Sequence, residues 1–120
     1  MDIDQVAADF RSLQEDERVL AVLVFGSQVT GQAHERSDID ICVVACDTDP
    51  IEMMRTIWQT PEMSRETYDV HTFEEFSLKM KHQVIEDHQV VWCRDGQELE
   101  EYFYQFRKLW NDQAVARGVV

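Results

Sequence analysis

The chain has 120 residues, of which 24 are acidic and 11 basic, and its formal net charge is −13. This length suits one core and leaves no room for separate catalytic and template-binding domains, so we expect residues 1–120 to form a single domain. The negative charge repels a polyphosphate backbone, which argues against a nucleic-acid substrate. No apolar run approaches the roughly 20 residues that cross a bilayer, and the N-terminus is acidic where a signal peptide is basic, so we expect neither membrane insertion nor secretion.

The cysteine and histidine patterns indicate neither a disulfide framework nor a zinc site. Cys42, Cys46 and Cys93 are an odd set without paired C-x-x-C spacing, so we expect reduced thiols in the cytoplasm. The histidines outside the aspartate strands show no H-E-x-x-H or i, i+4 pairing; they are His34, His82 and His88.

The first third of the chain predicts a helix followed by a buried strand. Apolar residues at i, i+4 and i+7 predict an amphipathic helix over residues 4–16, capped by Asp2 or Asp4. The apolar run Val22–Phe25 predicts a strand buried on both faces, which Gly26 ends. A short helix is predicted over residues 28–31. Gly26 and the Ser27 hydroxyl would suit a bound phosphate.

A second strand carries two aspartates and continues to Ala45. Side chains alternate across a strand, so the D-I-D spacing places Asp38 and Asp40 on one face and Ile39 on the core face. Crowded carboxylates repel each other unless a cation lies between them, and such oxygen ligands favour Mg²⁺ carrying substrate phosphates. The alternative is a plain turn at Gly26 and a solvated strand face.

The middle of the chain predicts a helix and a third strand. Asp49 and Pro50 predict the start of a helix with an apolar stripe of Ile51, Met54 and Trp58, ending at Thr60-Pro61. Alternation over residues 66–72 predicts a strand with Thr67, Asp69 and His71 on its polar face and Tyr68 and Val70 on the other. Asp69 is either an exposed strand aspartate or a third functional carboxylate, and the role of His71 stays open.

The last third predicts two helices separated by a strand. A capping-box spacing at Thr72 and an apolar stripe of Phe76, Met80 and Val84 predict a helix over residues 73–87. Residues 90–93 predict a short strand. Leu99, Tyr102, Phe103, Phe106 and Trp110 predict a final helix whose aromatic face packs in the core or, alternatively, binds a partner or a second copy.

The pattern G-S-x10-D-x-D, formed by Gly26, Ser27, Asp38 and Asp40, resembles that of the minimal nucleotidyltransferases of the DNA polymerase beta superfamily. The further positions that fit this pattern are Gly31, Ala33, Ser37 and Ile39. Thr30 stands where such proteins often have arginine, and this departure could weaken triphosphate affinity.

The resemblance implies an α+β fold, a small mixed β-sheet covered by helices, and a magnesium-dependent reaction. It implies that Asp38, Asp40 and Asp69 hold Mg²⁺, with two ions expected, and that ATP is the substrate. It further implies AMP transfer to a tyrosine of a partner HEPN toxin, so that the chain acts as an antitoxin. Two alternatives are nucleotidyl transfer to a small hydroxyl compound and a non-catalytic antitoxin subunit, and a homo- or hetero-oligomer fits either antitoxin role.

Overall fold

The computed structural model describes residues 1–26, 38–60 and 68–116. Helices α1 (Ile3–Asp9) and α2 (Arg11–Gln14) precede strands β1 (Ala21–Phe25) and β2 (Ile39–Val44). Helix α3 (Pro50–Trp58), strand β3 (Tyr68–Thr72) and a 3-10 turn (Phe73–Glu75) follow. The described chain ends with helix α4 (Leu78–Glu86), strand β4 (His88–Cys93) and helix α5 (Gly96–Ala116).

The strands form one mixed four-stranded sheet in the order β3-β2-β1-β4. β1 lies antiparallel to both β2 and β4, whereas β2 and β3 are parallel. The predicted α+β class and mixed sheet are confirmed. So are the strands predicted around Val22, Ile39, Asp69 and Val90, although residues 66 and 67 of the third lie outside the described part.

Two apolar clusters cover the two faces of the sheet. On one face, Val22, Val24 and Ile41 pack with residues of α1 and α3, including Val6 and Ile57. On the opposite face, Leu23, Phe25 and Val44 pack with Val84 of α4 and Phe103 of α5. Because strand side chains alternate, Asp40 lies on this second face, while Ile39 packs against the first cluster as predicted. The site therefore shares a sheet face with α4 and α5.

The helix predicted over residues 4–16 is interrupted at Phe10. Asp2 caps its start by accepting a hydrogen bond from the backbone N–H of Asp4 at 3.0 Å. Phe10 leaves helical geometry at φ −107° and ψ 26°, and its fully buried ring packs edge-on against Tyr68 with centroids 4.8 Å apart. The break accompanies this tertiary contact, which apolar periodicity does not encode.

The predicted apolar stripe of α3 is wrong for two of its three residues, whereas the third, Met54, packs partly buried against the first cluster. Asp49 caps the helix as expected, accepting a hydrogen bond from the N–H of Ile51 at 2.9 Å. However, Ile51 and Trp58 are 70% and 72% exposed, and Met53 and Ile57 are the fully buried pair. Both sets have helical spacing, so periodicity cannot choose which set faces the core.

The helix predicted over residues 73–87 consists of two parts. The 3-10 turn is followed by Phe76, whose backbone is extended. Ser77 then caps the start of α4 by accepting a hydrogen bond from the N–H of Met80 at 3.2 Å. Ser77 is a strong N-cap residue type, and its signal competes with the earlier capping box at Thr72. The stripe of Phe76, Met80 and Val84 does pack on the core.

The last helix is longer than predicted, and its aromatic face packs mainly in the core. Leu99 and Phe103 are buried, and Tyr102 and Phe106 pack partly buried against the second cluster. The Trp110 ring stacks on His82 with centroids 4.5 Å apart. The described residues contain no helix long and apolar enough to cross a membrane.

Candidate active site

Parallel pairing of β2 and β3 places two of the predicted carboxylates side by side. Asp40 pairs in register with Asp69, and both side chains point to the sheet face that α4 and α5 cover. Val70 on β3 is buried, while the Asp69 side chain is 53% exposed. β3, with Val70 buried on its other face, thus holds an accessible carboxylate beside Asp40.

Asp38 lies just before β2 and is exposed. It is close enough for its charge to act on Asp40. Burial raises the pKa of Asp40, and the neighbouring carboxylates of Asp69 and Asp38 raise this pKa further, while His71 opposes them. This is the charge crowding that the D-I-D spacing predicts.

Gly26 ends β1 directly against Asp40. Its φ of +76° lies in the left-handed region that favours glycine. A Cβ added at this position would collide with the Asp40 carboxylate and lie 3.3 Å from its Cγ. Glycine is therefore required here both by the backbone and by the approach of Asp40. Ser27, the predicted helix over residues 28–31 and Thr30 lie outside the described residues.

His71 completes the cluster and is the residue that the sequence left open. Its Nε2 lies 3.2 Å from an Asp69 carboxylate oxygen, and its Nδ1 lies 3.6 Å from Glu75. One ligand atom from each of Asp40, Asp69 and His71 lies within 4.8 Å of the others. We call these three residues the carboxylate cluster. The alternation over residues 66–72 already placed His71 on the Asp69 face, but nothing in the sequence showed that it contacts Asp69.

The donor set of this cluster fits a hard cation. Carboxylate oxygens are the ligands that Mg²⁺ prefers in proteins, and it is usually bound through one or two carboxylates together with substrate phosphates. A cation between Asp40 and Asp69 would also relieve the repulsion that raises the Asp40 pKa. The fold and the cluster together fit a protein that handles phosphate esters, and the three side chains could hold a metal ion.

The comparisons with known proteins agree with that class. Residues 11–97 match the family model described as polymerase beta, nucleotidyltransferase. A Methanocaldococcus jannaschii protein, named as a candidate protein adenylyltransferase, is 36% identical over 96 residues, which are 79% of this chain and 72% of the relative. The chain belongs to the polymerase beta nucleotidyltransferase family.

Solved structures support the same fold. A chain of a crystal structure described as a toxin-antitoxin with AMP-PNP has a TM-score of 0.72 and 20% identity, covering 98% of this chain and 94% of that one. A chain of the tri-AMPylated Shewanella oneidensis HEPN toxin in complex with MNT antitoxin has a TM-score of 0.65 and 18% identity, covering 97% and 89%. At these identities the likeness extends to the fold.

Proposed function

We propose that this chain transfers AMP from ATP to a tyrosine hydroxyl of a HEPN-type toxin and so acts as its antitoxin. The observation that carries the proposal is the register pairing of Asp40 with Asp69, with Gly26 packed against Asp40. The similarity to the M. jannaschii relative favours a protein acceptor, and the fold likeness to toxin-antitoxin structures favours this partner.

Asp38, Asp40 and Asp69 are the residues that would hold Mg²⁺, with two ions expected. When bound, Mg²⁺ would neutralise phosphate charge and make the acceptor hydroxyl more acidic. Gly26 lets the backbone approach the leaving phosphates without a Cβ in the way, and Ser27 would donate its hydroxyl to them. ATP is the proposed nucleotide.

In the proposed reaction the tyrosine oxygen forms a bond to the α-phosphorus. The bond from that phosphorus to the bridging oxygen breaks, and pyrophosphate leaves. Asp69 is the proposed acceptor of the tyrosine proton, and its half-exposed carboxylate can reach an incoming side chain. His71, 3.2 Å from Asp69, positions that carboxylate, and Glu75 supports His71 from the other ring nitrogen.

The charge of the chain supports a protein acceptor over a nucleic acid. A formal charge of −13 repels a phosphate backbone and attracts a basic protein surface. The acceptor tyrosine would enter at the side of the sheet where Asp40 and Asp69 lie, next to the exposed carboxylate of Asp69.

The test is co-expression with a neighbouring HEPN-type protein, followed by mass spectrometry of that partner. We expect an AMP adduct on a tyrosine of the partner, and none when Asp38 and Asp40 are both replaced by asparagine. A partner that binds but stays unmodified with Mg²⁺ and each of the four triphosphates would favour a non-catalytic antitoxin. A partner that neither binds nor is modified would favour a small hydroxyl compound as acceptor.

A further inference from the structure

A cavity lies beside the carboxylate cluster, and of its described lining residues only Gly26 takes part in the chemistry above. It has a volume of about 250 Å³ and lies between the end of β1 and α4. Its described lining is Phe25, Gly26, Met80, Gln83, Val84 and Asp87. Because Gly26 both lines the cavity and packs against Asp40, a ligand in the cavity would lie next to phosphates held at the cluster.

The lining combines an apolar floor with two polar side chains. Met80, Gln83 and Val84 recur at i, i+3 and i+4, so one face of α4 supplies them, and Asp87 lines the cavity from the position that ends the helix. Phe25 and Val84 are buried, whereas Gln83 and Asp87 are exposed. Apolar walls with a few converging polar groups are typical of small-molecule sites.

The size of the cavity limits what it can hold. Pockets for whole drug-sized ligands usually measure about 300–1,000 Å³. A cavity of about 250 Å³ is therefore suited to one ring system rather than to a complete nucleotide. A flat aromatic ring would lie against Phe25, Val84 and the polarizable thioether of Met80, which contacts aromatic rings favourably.

The contacts among the described residues give the two polar side chains no structural role. Within the described part of the chain, neither the Gln83 amide nor the Asp87 carboxylate makes a hydrogen bond or an ion pair with another residue. Asp87 also follows the last turn of α4, which carries no basic residue, and a carboxylate at a helix C-terminus is unfavourable for the helix dipole. Among the described residues, nothing therefore occupies the polar groups of these two side chains.

We propose that this cavity is the nucleobase subsite and that it selects adenine; the proposal rests on the nucleotidyl transfer proposed above. A glutamine amide matches adenine by accepting from the N6 amine and donating to N7. The Asp87 carboxylate accepts the other N6 hydrogen. The same carboxylate repels the O6 carbonyl that guanine and hypoxanthine carry in place of the amine.

The experiment is calorimetry on the full chain with Mg²⁺ and three ligands: ATP, inosine triphosphate and inorganic triphosphate. We expect ATP to bind at least about tenfold more tightly than inosine triphosphate, the discrimination of one good bidentate contact. Gln83→Ala and Asp87→Ala should each remove most of that preference and leave the affinity for inorganic triphosphate unchanged. Matched controls are Gln105→Ala and Asp112→Ala, exposed residues on α5 that do not line the cavity.

Equal affinity of the wild-type chain for ATP and inosine triphosphate would overturn the subsite. So would an adenine preference that survives in both cavity variants. Since no acceptor is present, this result is independent of AMP transfer. If the chain prefers adenine but modifies no partner, the subsite is supported and the proposed acceptor is wrong. If the chain modifies its partner but the two variants keep the wild-type base preference, only the subsite is wrong.

Discussion

Two groups of acidic residues on the same sheet face place their carboxylates in different surroundings. In the carboxylate cluster, Asp40 faces Asp69 across neighbouring strands. In what we call the Glu74 network, Glu74 accepts hydrogen bonds from the N–H of Ala45 at 3.1 Å and from the Tyr102 hydroxyl at 2.8 Å. Burial is the largest cause of a raised pKa at both Asp40 and Glu74.

The difference lies in what surrounds each charge. Both Glu74 oxygens have a protein donor, and these hydrogen bonds oppose the effect of burial on the Glu74 pKa. Asp40 has carboxylates nearby that add to the effect of burial. A raised pKa alone therefore does not mark a functional site. Crowding of like charge at an accessible edge distinguishes the carboxylate cluster from a structural carboxylate.

The largest expected effect is loss of transfer when Asp38 and Asp40 are both changed to asparagine. The neutral amides cannot replace the two anionic groups that are proposed to hold Mg²⁺, so transfer should fall below detection. Like-charge repulsion is relieved, so the unfolding free energy should stay equal or rise slightly. Transfer assays and thermal unfolding on the same preparation check this. Full activity would remove these two residues from the mechanism.

Asp69→Ala tests the third carboxylate and should act mainly on turnover. Loss of a general base costs roughly 10²–10⁴-fold in kcat. ATP binding should weaken less, because Asp38 and Asp40 remain. Steady-state kinetics that separate kcat from KM check this, with Asp112→Ala on α5 as the control. Unchanged turnover would mean that the proton leaves by another route.

Glu74→Ala tests whether Glu74 stabilises the fold without contributing to ATP binding. It leaves the Ala45 N–H and the Tyr102 hydroxyl without their acceptor, which should lower the unfolding free energy by about 1–3 kcal/mol. ATP binding by the folded protein should not change. Denaturant unfolding together with calorimetry checks both statements. A folded Glu74→Ala protein that no longer binds ATP would place Glu74 in the functional site.

Glu74→Gln should give the smallest effect, a change in how stability depends on pH. The folded-state pKa of Glu74 is raised above its ordinary value, so the native state holds this proton more tightly than the unfolded state. Ionisation of Glu74 therefore lowers the unfolding free energy as the pH rises from the ordinary pKa of a glutamate through the raised pKa of the folded state. The variant, which can still accept from Ala45 and donate to Tyr102, should lack this decrease. Unfolding curves measured from mildly acidic to neutral pH would show the two proteins diverging.

Local patterns predicted most of the fold because strand alternation and helix caps act over a few residues. The alternation of Tyr68, Asp69 and Val70 placed Asp69 on the polar face, and the D-I-D spacing placed Ile39 on the core face. The failures depend on tertiary contacts. The break at Phe10 accompanies packing on Tyr68. On α3, helical periodicity alone could not show that Met53 and Ile57, rather than Ile51 and Trp58, are buried.

For the site, the sequence predicted which residues of one strand share a face, but it did not predict which residues of neighbouring strands lie next to each other. Asp38 and Asp40 are two residues apart, but the pairing of Asp40 with Asp69 requires the parallel register of β2 and β3. The same register brings His71 to the cluster. The cavity needs the end of β1 and α4 together, so no motif could have indicated Gln83 and Asp87.

The crowded carboxylates are proposed to bind nucleotide through a divalent cation. Calorimetry of the full chain with ATP, first in Mg²⁺ and then in chelator, measures whether nucleotide binding needs the cation. We predict measurable binding with Mg²⁺ or Mn²⁺ and none in chelator, because triphosphate facing Asp38, Asp40 and Asp69 needs cations between the charges. Equal ATP affinity in Mg²⁺ and in chelator would contradict the claim.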